Sequence, residues 1–90
     1  MVNIAELLEL LKKNSVIIKF KHWRTDEELS IVATLDESVT EVKLKQYPSS
    51  NVIVVYDVIG DNWEDIRVET IIDYASVESV YDAFVNPLKN

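Results

Sequence analysis

Few residues of this chain have types and spacings that could do chemistry. There is one histidine, His22, and no cysteine, so a metal site would have to be built almost wholly from carboxylates. The richest run of oxygen donors is "DVIGDNWED", in which Asp57, Asp61, Asn62, Glu64 and Asp65 bracket a turn. It lacks the 1-3-5-12 ligand spacing of a calcium loop. His22 ends an alternating apolar run and reads as a hydrogen-bonded structural histidine. A catalytic triad would have to use that same histidine, and no serine stands in a nucleophile-elbow setting. The single glycine, Gly60, excludes a glycine-rich phosphate cradle. Acid pairs such as Glu64 with Asp65 or Asp61 are ordinary in a chain with 16 acids, and nothing around them marks a pocket that would tune them for proton transfer. The expectation is a non-enzyme, with no catalytic residue, metal or cofactor.

Two sets of residues suit binding instead. Lys19, Lys21, Trp23 and Arg24 lie close together, and alternation puts Lys19, Lys21 and Trp23 on one strand face. Basic strands interleaved with aromatics can hold single-stranded nucleic acid. The second set is acidic: Asp57, Asp61, Glu64, Asp65, Glu69, Asp73, Glu78 and Asp82. Gathered on one surface, they would suit a basic groove on another protein, because long-range attraction raises the association rate. Trp63, Glu64, Asp65 and Glu69 are the candidate contact residues, with Trp63 as the apolar anchor. The plainer reading is that the acids keep a small protein soluble and that Trp63 closes the core.

Charge decides between these surfaces. The formal net charge is −7, and residues 46–90 hold eight acids against two bases. Such a surface repels phosphate backbones and anionic lipid, so nucleic acid and membrane are disfavoured and a basic protein partner is favoured. A homodimer is also allowed. The apolar runs are too short to span a bilayer, and no signal peptide is visible at the N-terminus. Together with the lack of cysteine, this fits a cytoplasmic protein.

These residues must be positioned by one small domain, since 90 residues with 48% hydrophobic and 28% charged content is a globular balance. Ile4, Leu7, Leu8 and Leu11 form one helical stripe, with Asn3 as N-cap, Lys12 and Lys13 in the last turn and Asn14 suited to a left-handed stop. A helix over about 3–13 follows. Period-two alternation gives strands over about 16–24 and 28–35, joined by the polar "TDEE". Val52 to Tyr56 are apolar at every position, which predicts a strand over about 51–59 covered on both faces. A strand over about 64–70 pairs with it through "IGDN", placing Asp65, Arg67 and Glu69 on a wet face. Ile71 and Ile72 break that alternation as a short turn or bulge would. Val77, Val80, Tyr81 and Phe84 predict a closing helix over about 77–85. Residues 36–51 are less clear: "SVTEVKLKQ" alternates weakly and reads as a short strand or a helical turn, and "YPSSN" reads as a loop. The fold class is therefore α+β: a small antiparallel sheet or partly open barrel of 4–5 strands, with an N-terminal and a C-terminal covering helix.

The stretches "SVIIKFKHWRTDEELSIVATL" and "VIVVYDVIGDNWEDIRVETI" resemble small bacteriophage-encoded proteins with an SH3-like barrel. Those proteins show a valine-rich strand, a polar turn and a strand ending in Thr-Leu. A later pattern follows, V-x-D then W-x-x-(F/I)-R-x-(D/E)-x-I. Tyr56, Asp57, Trp63, Ile66, Arg67, Glu69 and Ile71 stand on the later positions, and the likeness covers about residues 16–72. At "RTDEEL" the chain lacks the glycine and the following basic residue that the family often has. The resemblance implies a phage origin and a barrel but no biochemical activity; the expectation that the protein binds and modulates or inhibits a host factor comes from the acidic surface. The resemblance implies no catalytic residue.

Overall fold

The computed structural model describes residues 2–77. Beyond its first residue, Val77, the expected helix over 77–85, with Glu78 and Asp82, lies outside them. Helix α1 runs Ile4–Lys13. The Asn3 side chain accepts the Glu6 amide at 3.1 Å, satisfying one of the orphan donors of the first turn. Asn14 does not take the left-handed stop: it is extended, because the chain passes directly into the sheet.

Strands β1 (Val16–Lys21), β2 (Glu28–Thr34), β3 (Val52–Asp57), β4 (Asn62–Arg67) and β5 (Ile71–Ser76) form one antiparallel sheet in the order β4-β3-β2-β1-β5. The first strand is three residues shorter than expected, because His22, Trp23 and Arg24 enter the turn to β2. The Nδ1 of His22 accepts the amides of Arg24 and Thr25 at 3.2 and 3.4 Å, so His22 organises that turn. The fourth strand stops at Arg67, and Val68–Thr70 form a 3-10 turn. Beyond it the irregularity at Ile71 and Ile72 is a bulge at the start of a fifth strand, where β5 shifts register against Lys19 and Phe20 of β1. Residues 36–51 hold a one-turn helix α2, Glu37–Thr40, capped by Asp36, and then an irregular run to β3.

The core gathers Leu7, Leu8 and Leu11 of α1 with Val16, Ile18, Phe20, Ala33, Ile53, Val55, Ile66 and Ile71. β3 is not covered on both faces. Ile53 and Val55 are buried, but Val52 is 42% exposed and Val54 and Tyr56 are only half-buried. The β2 alternation also fails at its end. Thr34, at a wet-face position, is fully buried: its hydroxyl donates toward Leu11 O and Asn14 O and accepts the Asp36 amide. The C-terminal end of α1 lies over this end of β2, where Leu35 N–H also donates to Leu11 O at 2.8 Å.

The β2–β3 pairing is short. Only Ala33 with Asp57 and Thr34 with Tyr56 are in register, and Val58 N–H adds one bond to Val32 O. Below that point the strands separate. The gap on the β3 side is filled by Gln46, whose side-chain amide bonds both backbone groups of Val54.

Candidate functional site

The β3–β4 hairpin sets one face of side chains away from the core. Register pairs Val52 with Arg67, Val54 with Asp65, and Tyr56 with Trp63, and these positions alternate with buried Ile53, Val55 and Ile66. Trp63 is 40% exposed and meets Tyr56 edge-on, with centroids 5.4 Å apart at 67°. It does not close the core, because its parity puts it on the opposite face from Ile66. The Tyr56 hydroxyl donates to Asp61. That bond, with some burial and the nearby charges of Asp61 and Asp57, pushes the phenol above its ordinary value.

The hairpin tip, residues 58–61, is four residues long. Asp61 takes the left-handed conformation at φ 54° that glycine usually fills. Gly60 serves a different need: a Cβ there would sit 2.6 Å from the side-chain oxygens of Asp57 and Asn62. Its amide donates to Asp57 Oδ1 at 2.9 Å. Ile59 stands 79% exposed at the tip beside exposed Val58.

The proposed contact residues are only partly brought together. Asp65 shares the outer face with Trp63. Glu64 is on the core side of the strand, opposite Val55 and half-buried. Glu69 is on the 3-10 turn rather than on β4, since strand parity ends at Arg67. The late acids among the described residues do not all lie on one element. Asp57, Asp61 and Asp65 belong to the hairpin, whereas Asp73 is on β5 opposite Lys19 of β1. Neither Tyr56 nor Ile59 is among the contact residues expected from the sequence. Tyr56 could have been, because it lies in alternation with Val52 and Val54.

The basic set is also divided. Lys19 and Lys21 share the outer face of β1, but Lys19 pairs with Glu28 at 3.4 Å and Lys21 stands opposite Glu28 in register. Trp23 is not on the strand; it is in the turn and 57% exposed. The Arg24 and Arg67 guanidinium carbons lie 4.7 and 5.4 Å from its ring centroid, and the His22 ring stacks at 6.0 Å. Arg67 joins this cluster from β4, which no spacing argument could foresee. Glu69, Thr70 and Lys21 line the shallow depression beside it.

Among the described residues, no group of three or more His, Cys, Asp or Glu side chains is placed to hold a metal ion. In the same residues no helix is long and apolar enough to cross a membrane. No family model, curated protein or solved structure matches this chain.

Proposed function

We propose that this is a phage-type, non-enzymatic protein with an SH3-like barrel, which binds a host protein in the cytoplasm and modulates or inhibits it. Support for the barrel comes from the strand order. A four-strand meander is followed by a 3-10 turn, and the fifth strand returns to pair with the first, as in SH3-like barrels. The binding surface is the outer face of the β3–β4 hairpin, with Glu64 and Glu69 at its margins. One observation carries this choice: Trp63 and Tyr56 expose a packed aromatic pair beside Asp65, without being needed for the core. A rigid aromatic next to a charged rim is a common hot-spot arrangement. The complementary partner has an apolar pocket edged with basic residues.

The test is capture of partners from host lysate, followed by association kinetics. Trp63→Ala should raise dissociation, by about tenfold or more if the indole is an anchor. Asp65→Asn with Glu69→Gln should slow association and reduce its salt dependence. Rates unchanged in both variants would reduce the face to a solvated surface. The exposed indole of Trp23 between two guanidiniums favours a second reading, single-stranded nucleic acid on the first hairpin. A gel shift at micromolar protein that weakens steeply with salt would promote it.

A further inference from the structure

The backbone of β2 has an open edge. His22 N–H donates to Glu27 O at 2.8 Å and His22 O accepts the Asp26 amide at 2.9 Å, so His22 is at a hydrogen-bonded position of the β1–β2 hairpin, opposite a bulge at Asp26 and Glu27. Alternation then directs the backbone groups of Leu29, Ile31 and Ala33 to β1. Those of Glu28, Ser30 and Val32 point to the other side. Val32 spends its carbonyl on Val58 N–H. Glu28 and Ser30 lie beyond the β3 register, which ends at Ala33 with Asp57, and among the described residues no strand pairs with them there. The corresponding gap on β3 is sealed by Gln46. The β4 edge carries the charged Asp65 and Arg67, side chains that discourage strand addition.

We propose that the Glu28–Val32 edge of β2 is a strand-addition site for a short, extended, basic segment of a partner protein. The open edge offers the Glu28 and Ser30 amides and carbonyls and the Val32 amide, a match for about five extended residues at about 3.3 Å each. Charge selects the occupant. Asp26 and Glu27 precede the edge and make no ion pair among the described residues, whereas Glu28 is shared with Lys19. Asp57 and Asp61 flank the hairpin tip that abuts Val32. These acids repel a second copy of this acidic chain and attract lysine or arginine on alternate positions. Exposed Leu29, Val58 and Ile59 supply apolar contact for the residues between. The inference rests on the protein-binding reading but uses a different surface.

The probe is a blocked eight-residue peptide of alternating lysine and valine, titrated into the full chain with backbone amide exchange as the readout. The expected result is slowed exchange at Glu28, Ser30 and Val32, with Trp63, Asp65 and Val54 unchanged. A peptide of alternating glutamate and valine should bind at least tenfold more weakly. Ser30→Pro removes an open-edge amide without touching the β1 ladder, as edge prolines do. It should keep the parent melting transition and lose at least tenfold in peptide affinity. Trp63→Ala should bind the peptide like the parent, so failure here leaves the hairpin-face reading standing. Four results would overturn the site: no lysine-valine binding, protection at the β4 amides instead, equal affinity for both peptides, or a folded Ser30→Pro that binds normally. So would a dimer in sedimentation that Ser30→Pro abolishes, since the occupant would then be a second copy.

Discussion

The carboxamide of Gln46 stands in for a strand beside Val54. Val54 N–H donates to Gln46 Oε1 at 2.8 Å, and Gln46 Nε2 donates to Val54 O at 2.5 Å. The two bonds have the pairing pattern of a ladder rung, formed where β2 has diverged from β3. A half-buried strand edge is thereby satisfied without a sixth strand.

Gln46→Ala should therefore destabilise the fold by about 1–3 kcal/mol, the usual cost of leaving partly buried backbone groups unpaired. Gln46→Glu should not rescue it, because a carboxylate accepts from Val54 N–H but has no donor for Val54 O. Urea unfolding gives the stability. Faster exchange of the Val54 amide, with other β3 amides unchanged, would localise the loss.

The hydroxyl of Thr34 joins α1 to the sheet. Thr34→Val keeps the shape but deprives Asp36 N–H of its acceptor and Leu11 O and Asn14 O of a donor. The expected cost is about 1–3 kcal/mol by thermal or urea unfolding. Thr34→Ser should retain most of that stability.

Leu8 is buried in the cluster that α1 forms with the sheet. Leu8→Asp puts a charge into that cluster and should unfold the domain or lower its melting temperature by tens of degrees. Thr25→Ala, in the exposed turn, loses one 3.4 Å bond from Glu27 N–H and should stay within about 0.5 kcal/mol of the parent. A Leu8→Asp protein that melts like the parent would mean that α1 does not cover the sheet.

The Tyr56 phenol should titrate above its ordinary value, chiefly because its proton is held by Asp61. The folded pKa is raised, so the stabilising contribution is complete below the unfolded value of about 10. It is lost as pH rises through the folded value. Ultraviolet titration of phenolate formation checks this. Asp61→Asn should bring the transition back toward the ordinary range, and it should leave the neutral-pH structure of β3 intact.

The elements with one dry face were legible in the sequence. The stripe Ile4–Leu11 gives α1, and alternation through Ile18 and Phe20 gives β1. What stayed hidden depends on neighbours distant in sequence. The apolar run Val52–Tyr56 looks like a strand buried on both sides, yet its outer face is left to Trp63, Arg67 and solvent. Strand β5 was missed because the bulge at Ile72 breaks the alternation just where it begins. Trp23, expected on one strand with Lys19 and Lys21, lies instead in the turn that His22 organises. The site suffered from the same cause. Parity correctly placed Asp65 outward, but it was carried past the end of β4 to Glu69, which belongs to a 3-10 turn.

Strand β1 pairs with β2 on one side and with β5 on the other, with Val16 in register with Ser76. For a chain emerging from a ribosome, this ordering has a cost in time. The β1–β2 hairpin can form early, but its Ile17 and Lys19 backbone remains bare until β5 has been made. Non-local pairing of this kind slows folding, and an unpaired strand edge invites association with other nascent chains. A polypeptide stopped at Thr70 should therefore be insoluble rather than merely weakened, although it still contains most of the core residues.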